Sequence, residues 1–220
     1  MSDADEVRRG AAIYSRPVLR IYDLVVVRLS NSFVWRCHRD RMVEQYERCV
    51  GRRHLDVGPG TAWYLAKASL PAGVMITLVD LNANSLARAS ARLAGLTTIA
   101  VQADVLAPLP DAIGRFDSVA ANFVFHCLPG SWAVKGVAFG HVADRLAADG
   151  VFFGSTILGR GVRHNLVGRR LMAIYNRRGI FHNADDDQEG LERSLREHFM
   201  EVTVTVVGTV ALFRARGPRR

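Results

Sequence analysis

Between residues 53 and 158, five short apolar runs alternate with segments of helical character, and this alternation excludes most folds open to the chain. "RHLDVG" (53–58), "VMITLVDL" (74–81), "TTIAVQAD" (97–104), "FDSVAANFVF" (116–125) and "VFFGSTIL" (151–158) have the length and residue types of strands. "TAWYLAKASL", "NANSLARASARLAG" and "SWAVKGVAFGHVADRLAADG" between them read as helices. The second starts with Asn82 or Asn84 as N-cap and stops at Gly95, and the third runs from Ser131 as N-cap to Gly150. Strands separated by helices form a parallel sheet covered on both faces, because a parallel connection must cross back over the sheet.

The flanks are less regular. Residues 1–50 read as helices: an apolar stripe follows Pro17, "LSNS" at 29–32 breaks it, and a helix restarts from Phe33 to Val50. Beyond residue 159, "RGVRHNLVGRRLMAIYNRRG" is a basic amphipathic helix and "ADDDQEG" a turn into the helix "LERSLREHF". "EVTVTVVGTVALFRARG" makes two strands around Gly208, and "RARGPRR" is expected to fray.

With 220 residues, 49% of them hydrophobic, the chain is expected to form one structural domain, a core over 51–217 with an extension over 1–50. No run is long and apolar enough to span a bilayer, and "MSDADEVRRG" lacks a signal-peptide core, so a cytoplasmic location is expected. Cys37, Cys49 and Cys127 are odd in number and lack CxxC spacing, which favours reduced thiols over a disulfide framework or a zinc site. Net charge is +8, yet Lys67 and Lys135 are the only lysines among 29 cationic side chains. A coding bias towards arginine explains this better than a nucleic-acid surface.

The chemistry concentrates at "HLDVGPGTAWYL" (54–65), where a strand meets a helix through a glycine turn. Such a turn exposes backbone N–H groups at a helix N-terminus to a ligand. A dinucleotide-binding loop needs a third glycine at 63, where Trp63 would obstruct a pyrophosphate, so NAD is disfavoured. The segment Asp56-Val57-Gly58-Pro59-Gly60-Thr61-Ala62 instead resembles the acidic-x-G-x-G-x-G loop of class I S-adenosylmethionine-dependent methyltransferases of the small-molecule type. It departs from that pattern at Ala62, which is accommodated if its φ is negative, as in a first helical turn.

Other motifs follow in the order this family has them. Asp80, with Leu81, stands where the family places an acid on the ribose hydroxyls. Asp104 matches the residue that bonds the adenine amino group, with Val105 near the ring. "FDSVAANFVFHCLPG" resembles the fourth-strand motif beside the methionine part, where Asn122 meets either the cofactor or local backbone. The resemblance spans roughly residues 50–217. It implies a Rossmann-like, seven-stranded, mostly parallel α/β sheet with an antiparallel last strand and an N-terminal helical lid. It also implies S-adenosylmethionine as cofactor, S-adenosylhomocysteine as product and a small organic acceptor. Each acid has a structural alternative: a loop-amide acceptor for Asp56, an N-cap for Asp80, a turn former for Asp104.

Methyl transfer from a sulfonium is an in-line displacement, and a base is required only when the nucleophile arrives protonated. His126, just past the fourth strand, is the imidazole the resemblance places at the transfer site. It either takes a proton from a hydroxyl or amine, or hydrogen-bonds backbone at a helix start. Tyr14 is the preferred cofactor cover within the lid, with Tyr22 and Trp35 as further aromatic walls. Arg160, Arg163, Arg169, Arg170, Arg177 and Arg178 either recognise an anionic substrate or form a solvated face balanced by Asp185, Asp186 and Asp187. Nucleic-acid methylation is disfavoured: Asn122-Phe123-Val124-Phe125 lacks the prolines of the adenine-N6 type, and Cys127 lacks the Pro-Cys context of the cytosine-C5 type. An RNA methyltransferase, a cyclase on the same fold and a non-catalytic partner stand as alternatives.

Overall fold

The computed structural model describes residues 32–219. Its centre is a seven-stranded sheet: β1 (Arg53–Val57), β2 (Met75–Asp80), β3 (Thr97–Gln102), β4 (Phe116–Asn122), β5 (Leu146–Ile157), β6 (Phe199–Val207) and β7 (Val210–Pro218). The spatial order is 3-2-1-4-5-7-6. Strands β1 to β5 are parallel, and β7 inserts antiparallel between β5 and β6. This is the expected architecture. Among the described residues the helices are α1 (Asp40–Cys49), α2 (Trp63–Lys67), α3 (Ala83–Arg92), α4 (Trp132–Lys135), α5 (Val137–Arg145), α6 (Leu166–Arg177) and α7 (Gln188–His198).

Alternation within strands sends side chains to two cores. Leu55 and Val57 of β1 join Val119, Phe152 and Phe213 beneath Phe139 of α5 and Leu195 of α7. On the other face, Ile76, Leu78 and Phe153 meet Tyr46 of α1, Leu65 of α2 and Leu86 of α3. A third cluster joins Trp35, Cys37 and Met42 to Ile157, Met172 of α6 and Phe181.

Several boundaries move from where the residue pattern put them. The helix expected from Phe33 to Val50 is interrupted after Val34 and resumes at Asp40, because Trp35 and Cys37 are drawn into the third cluster and the Trp35 carbonyl accepts bonds from Thr209 N and Oγ1. The single helix expected over 131–150 is two, meeting at Gly136. Ser194 of α7 crosses there so closely that a Cβ at position 136 would lie 2.0 Å from its hydroxyl. Residues 146–150 belong to β5, since Leu146 is buried and pairs with Phe116. The tail is ordered through residue 218, where β7 holds Arg214, Arg216 and Pro218 in register with β6. Asn82 and not Asn84 caps α3, its side chain accepting from Asn84 N at 2.8 Å. Ser131 stands at the N-cap of α4 without a side-chain cap bond.

Lys135, with no exposed surface, donates to both carboxylate oxygens of Asp186, at 2.8 and 3.1 Å, and to the His182 carbonyl at 3.0 Å. Its ammonium also lies over the Trp132 ring. Burial pushes Lys135 down and Asp186 up to about 6, while their mutual attraction works the other way. The pair pins segment 182–186 to the end of α4, and His182 N in turn bonds the His126 carbonyl. Lys135→Ala strands a buried carboxylate and should cost about 3–5 kcal/mol in urea unfolding. Lys135→Met combined with Asp186→Leu should recover most of that loss, because no charge is then left buried.

Candidate active site

The site is assembled at the carboxyl ends of β1, β2 and β4. Asp56, the penultimate residue of β1, is 1% exposed, and its Oδ2 accepts a 2.8 Å hydrogen bond from the Tyr46 hydroxyl of α1. Its Oδ1 is buried without a partner among the described residues. Burial raises its carboxyl to about 7, opposed by the Tyr46 bond and assisted by the Asp80 charge. Asp80 ends β2 and accepts from Asn82 N at 2.8 Å, with its carboxyl lifted by burial to about 6. Leu81 follows it, half-buried, its carbonyl accepting from Gln102.

The loop after β1 turns on left-handed residues. Gly58 (φ 61°) sits so close to β4 that a Cβ would lie 2.5 Å from Val124 Cγ2. Gly60 (φ 55°) would meet nothing within 4 Å, so that stretch of backbone is bare. Ala62 does not take the negative φ expected of it: it is left-handed, at φ 53° and ψ 29°, as N-cap of α2. The loop therefore keeps the glycine-type conformation with an alanine in it, at a strain of about 1–2 kcal/mol. Burial of the Ala62 methyl in the second core offsets part of this. Thr61 is 2% exposed, and its hydroxyl accepts from Arg92 at 3.0 Å, so this side chain ties the loop to α3.

Asp104 is half-buried and accepts from Leu106 N at 2.9 Å, which is the turn-forming alternative in its geometry. Val105 faces the first core, and its carbonyl meets His141 at 2.9 Å. Asn122 ends β4, is 8% exposed and accepts from Ser155 at 2.8 Å. Its amide favours the charged form of the Tyr46 phenol, yet Nδ2 makes no hydrogen bond of good geometry.

Past β4, Phe123 adopts φ 58° and begins an aromatic enclosure. His126 lies 6.0 Å from Phe123 and edge-on to Phe181 at 4.4 Å, and Phe181 contacts Tyr175 at 4.9 Å. His126 is 4% exposed, its Nδ1 has no partner, and burial followed by the Lys135 charge pushes it down to about 3. It is thus a neutral imidazole, and its ring does not bond backbone as one sequence alternative required. Trp35 is 3% exposed against Phe181. Tyr14 and Tyr22 lie outside the described residues. Of the three aspartates set against the arginines, Asp185 lies 3.8 Å from Arg160, Asp186 serves Lys135 and Asp187 caps α7.

Sequence reasoning missed Tyr46. Its signal was only an aromatic residue on the inner face of the helix before β1, which packing alone would explain. Among the described residues no cluster could hold a metal ion, and no helix is long and apolar enough to cross a membrane.

Comparison with known proteins bears on this arrangement. Residues 55–152 match the family described as "Methyltransferase domain". The chain is 40% identical over 215 residues to the Physcion biosynthesis cluster O-methyltransferase of Aspergillus chevalieri, covering 96% of each. It is 39% identical over 211 residues to Demethylluteothin O-methyltransferase of Streptomyces thioluteus, covering 96% of this chain and 92% of the relative. In fold it is similar to the N-methyltransferase NodS of Bradyrhizobium japonicum WM9 in complex with S-adenosylhomocysteine, with a TM-score of 0.64, 15% identity and full coverage of both chains. The chain belongs to the S-adenosylmethionine-dependent methyltransferases and is an enzyme of that class.

The residues present fit that cofactor. A buried carboxylate with an unpartnered oxygen, a second raised carboxyl beside it and a bare stretch of loop backbone suit a cationic nucleoside. Gly58→Ala adds a left-handed side chain against Val124 and should destabilise by about 2–4 kcal/mol. Ala62→Gly relieves strain but loses a buried methyl worth about 0.8 kcal/mol, and should fall within about 1 kcal/mol of wild type in thermal unfolding.

Proposed function

We propose that the enzyme transfers a methyl group from S-adenosylmethionine to a hydroxyl of a small, planar, largely apolar molecule of the specialised-metabolite kind. The observation that carries this reading is the enclosure past β4. Phe123 and Phe181 pack against His126, Tyr175 and Trp35 back Phe181, and the imidazole keeps a buried nitrogen without a partner among the described residues. Flat apolar walls favour a flat apolar acceptor, and exclusion of water protects an in-line displacement. Two of the relatives carry O-methyltransferase in their names, one of them as part of a biosynthesis cluster.

The cofactor supplies an electrophilic methyl when bound. The chain supplies position and a dry site. In this reading Asp56, Gly58, Gly60, Asp80 and Leu81 hold the cofactor, with Asp104 and Asn122 at its two ends. Thr61 and Val105 contribute through backbone, since their side chains are engaged elsewhere. Residues 1–50, Tyr14 included, cover it. His126, neutral at rest, accepts the hydrogen bond of the acceptor hydroxyl and takes its proton as the methyl is transferred.

Calorimetric titration with S-adenosylmethionine and S-adenosylhomocysteine on wild type and Asp80→Ala tests the cofactor half. Micromolar binding lost in the variant is expected, and no binding to wild type would refute it. On an accepted substrate, His126→Ala should lower kcat by about 10²-fold or more while leaving S-adenosylhomocysteine affinity within about twofold. An unchanged kcat would remove His126 from the chemistry.

A further inference from the structure

Asp56 is buried in a way that folding alone does not require. One oxygen is taken by Tyr46 at 2.8 Å and the other has no partner. No ion pair reaches it among the described residues. The groups facing it are the Tyr46 phenol from α1 and the Asp80 carboxyl from β2, with the Asn122 amide of β4 beside that phenol. His54, two residues back on β1, is held neutral by burial and meets the Tyr46 ring edge-on at 5.9 Å. The ring packs edge-on against both His54 and Phe153, the latter at 5.3 Å, and those two stack on each other at 6.0 Å, so the place of its hydroxyl is decided by packing. It is 2% exposed, which leaves it out of reach of a solvent role.

We propose that Tyr46 is a positioning residue of the cofactor site: by occupying one oxygen of Asp56 it fixes the carboxylate and reserves the other for the ammonium of the cofactor's amino-acid part. The inference rests on the reading of Asp56 as a cofactor carboxylate. A buried carboxylate with one oxygen fixed cannot turn away from an incoming donor, and a hydrogen bond to the charged form keeps it available for pairing. Burial works against this, lifting Asp56 to about 7, and the Tyr46 bond opposes the lift. Pairing with an ammonium requires the ionised form, so binding draws the proton off Asp56. Affinity should therefore rise with pH through about 7, the value of the empty protein. Loss of the Tyr46 hydroxyl raises Asp56 further and moves that rise to higher pH.

The test is Tyr46→Phe, which keeps the ring against His54 and Phe153. Calorimetry would compare S-adenosylhomocysteine with 5′-methylthioadenosine, which shares the nucleoside and thioether but carries no ammonium, at pH 6.5 and 8.5. S-adenosylhomocysteine should weaken about tenfold at pH 6.5 and less at pH 8.5, with methylthioadenosine unchanged within about twofold. Equal weakening of both ligands, or no weakening of either, overturns the role of Tyr46. Failure of wild type to bind S-adenosylhomocysteine refutes the cofactor-site reading itself, and the inference with it. A second measurement needs no Tyr46 variant: titration of wild type in two buffers of different ionisation enthalpy should show proton release on S-adenosylhomocysteine binding that grows as pH falls from about 8.5 to about 6.5. That release should vanish in Asp56→Asn, and zero release from wild type overturns the pairing.

Discussion

Strand β1 pairs with β2 on one side and β4 on the other, so the chain connections that leave the two halves of the sheet part company above it. Everything functional in this molecule depends on that divergence. A crevice opens outside the carboxyl ends of the strands where the order reverses, and ligands of open α/β sheets are held there. Register decides which side chains reach it. Asp56 pairs with Leu78 and Ala120, and Asp80 with Gln102, which brings the ends of β2, β1 and β4 to one rim. Gly58 then draws the loop against Val124, within reach of no larger residue.

The chain treats buried charge in two opposite ways. Lys135 and Asp186 are both out of water and committed to each other, with the His182 carbonyl accepting a further hydrogen bond from the ammonium. Such a pair is a structural strut: it fixes the segment that bonds the backbone of His126. Asp56 is as deeply buried and meets no cation among the described residues, and burial lifts it accordingly. A protein holds a carboxyl in that condition at a cost in stability, which protonation or a cation from outside can relieve. The contrast sets an ion pair completed within the fold against a carboxyl left open to a cation.

Much of the fold was legible because it depends on local signals. Alternating apolar runs, the Asn82 cap and the Gly208 turn each speak through neighbours in sequence, and the sheet assembled as those signals imply. The misplaced boundaries share one cause. Gly136, Leu146 and Trp35 look helical or neutral in their own windows, and each is redirected by a distant partner: Ser194, Phe116 and the Thr209 backbone. Ala62 is the same lesson within the site, since an alanine read from propensity prefers a negative φ and the surrounding loop and core hold it left-handed.

The class of fold, the glycine loop and the acids that follow successive strands are legible in residue order alone, because each is a short pattern whose meaning is carried by spacing along the chain. What those acids are depends on the folded surroundings. Folding brought Tyr46 across to Asp56, engaged Thr61 with Arg92 and set Phe123 and Phe181 against a neutral His126. The reason is that ionisation and hydrogen-bond vacancy are properties of an environment, and that environment is built by residues far apart in the chain.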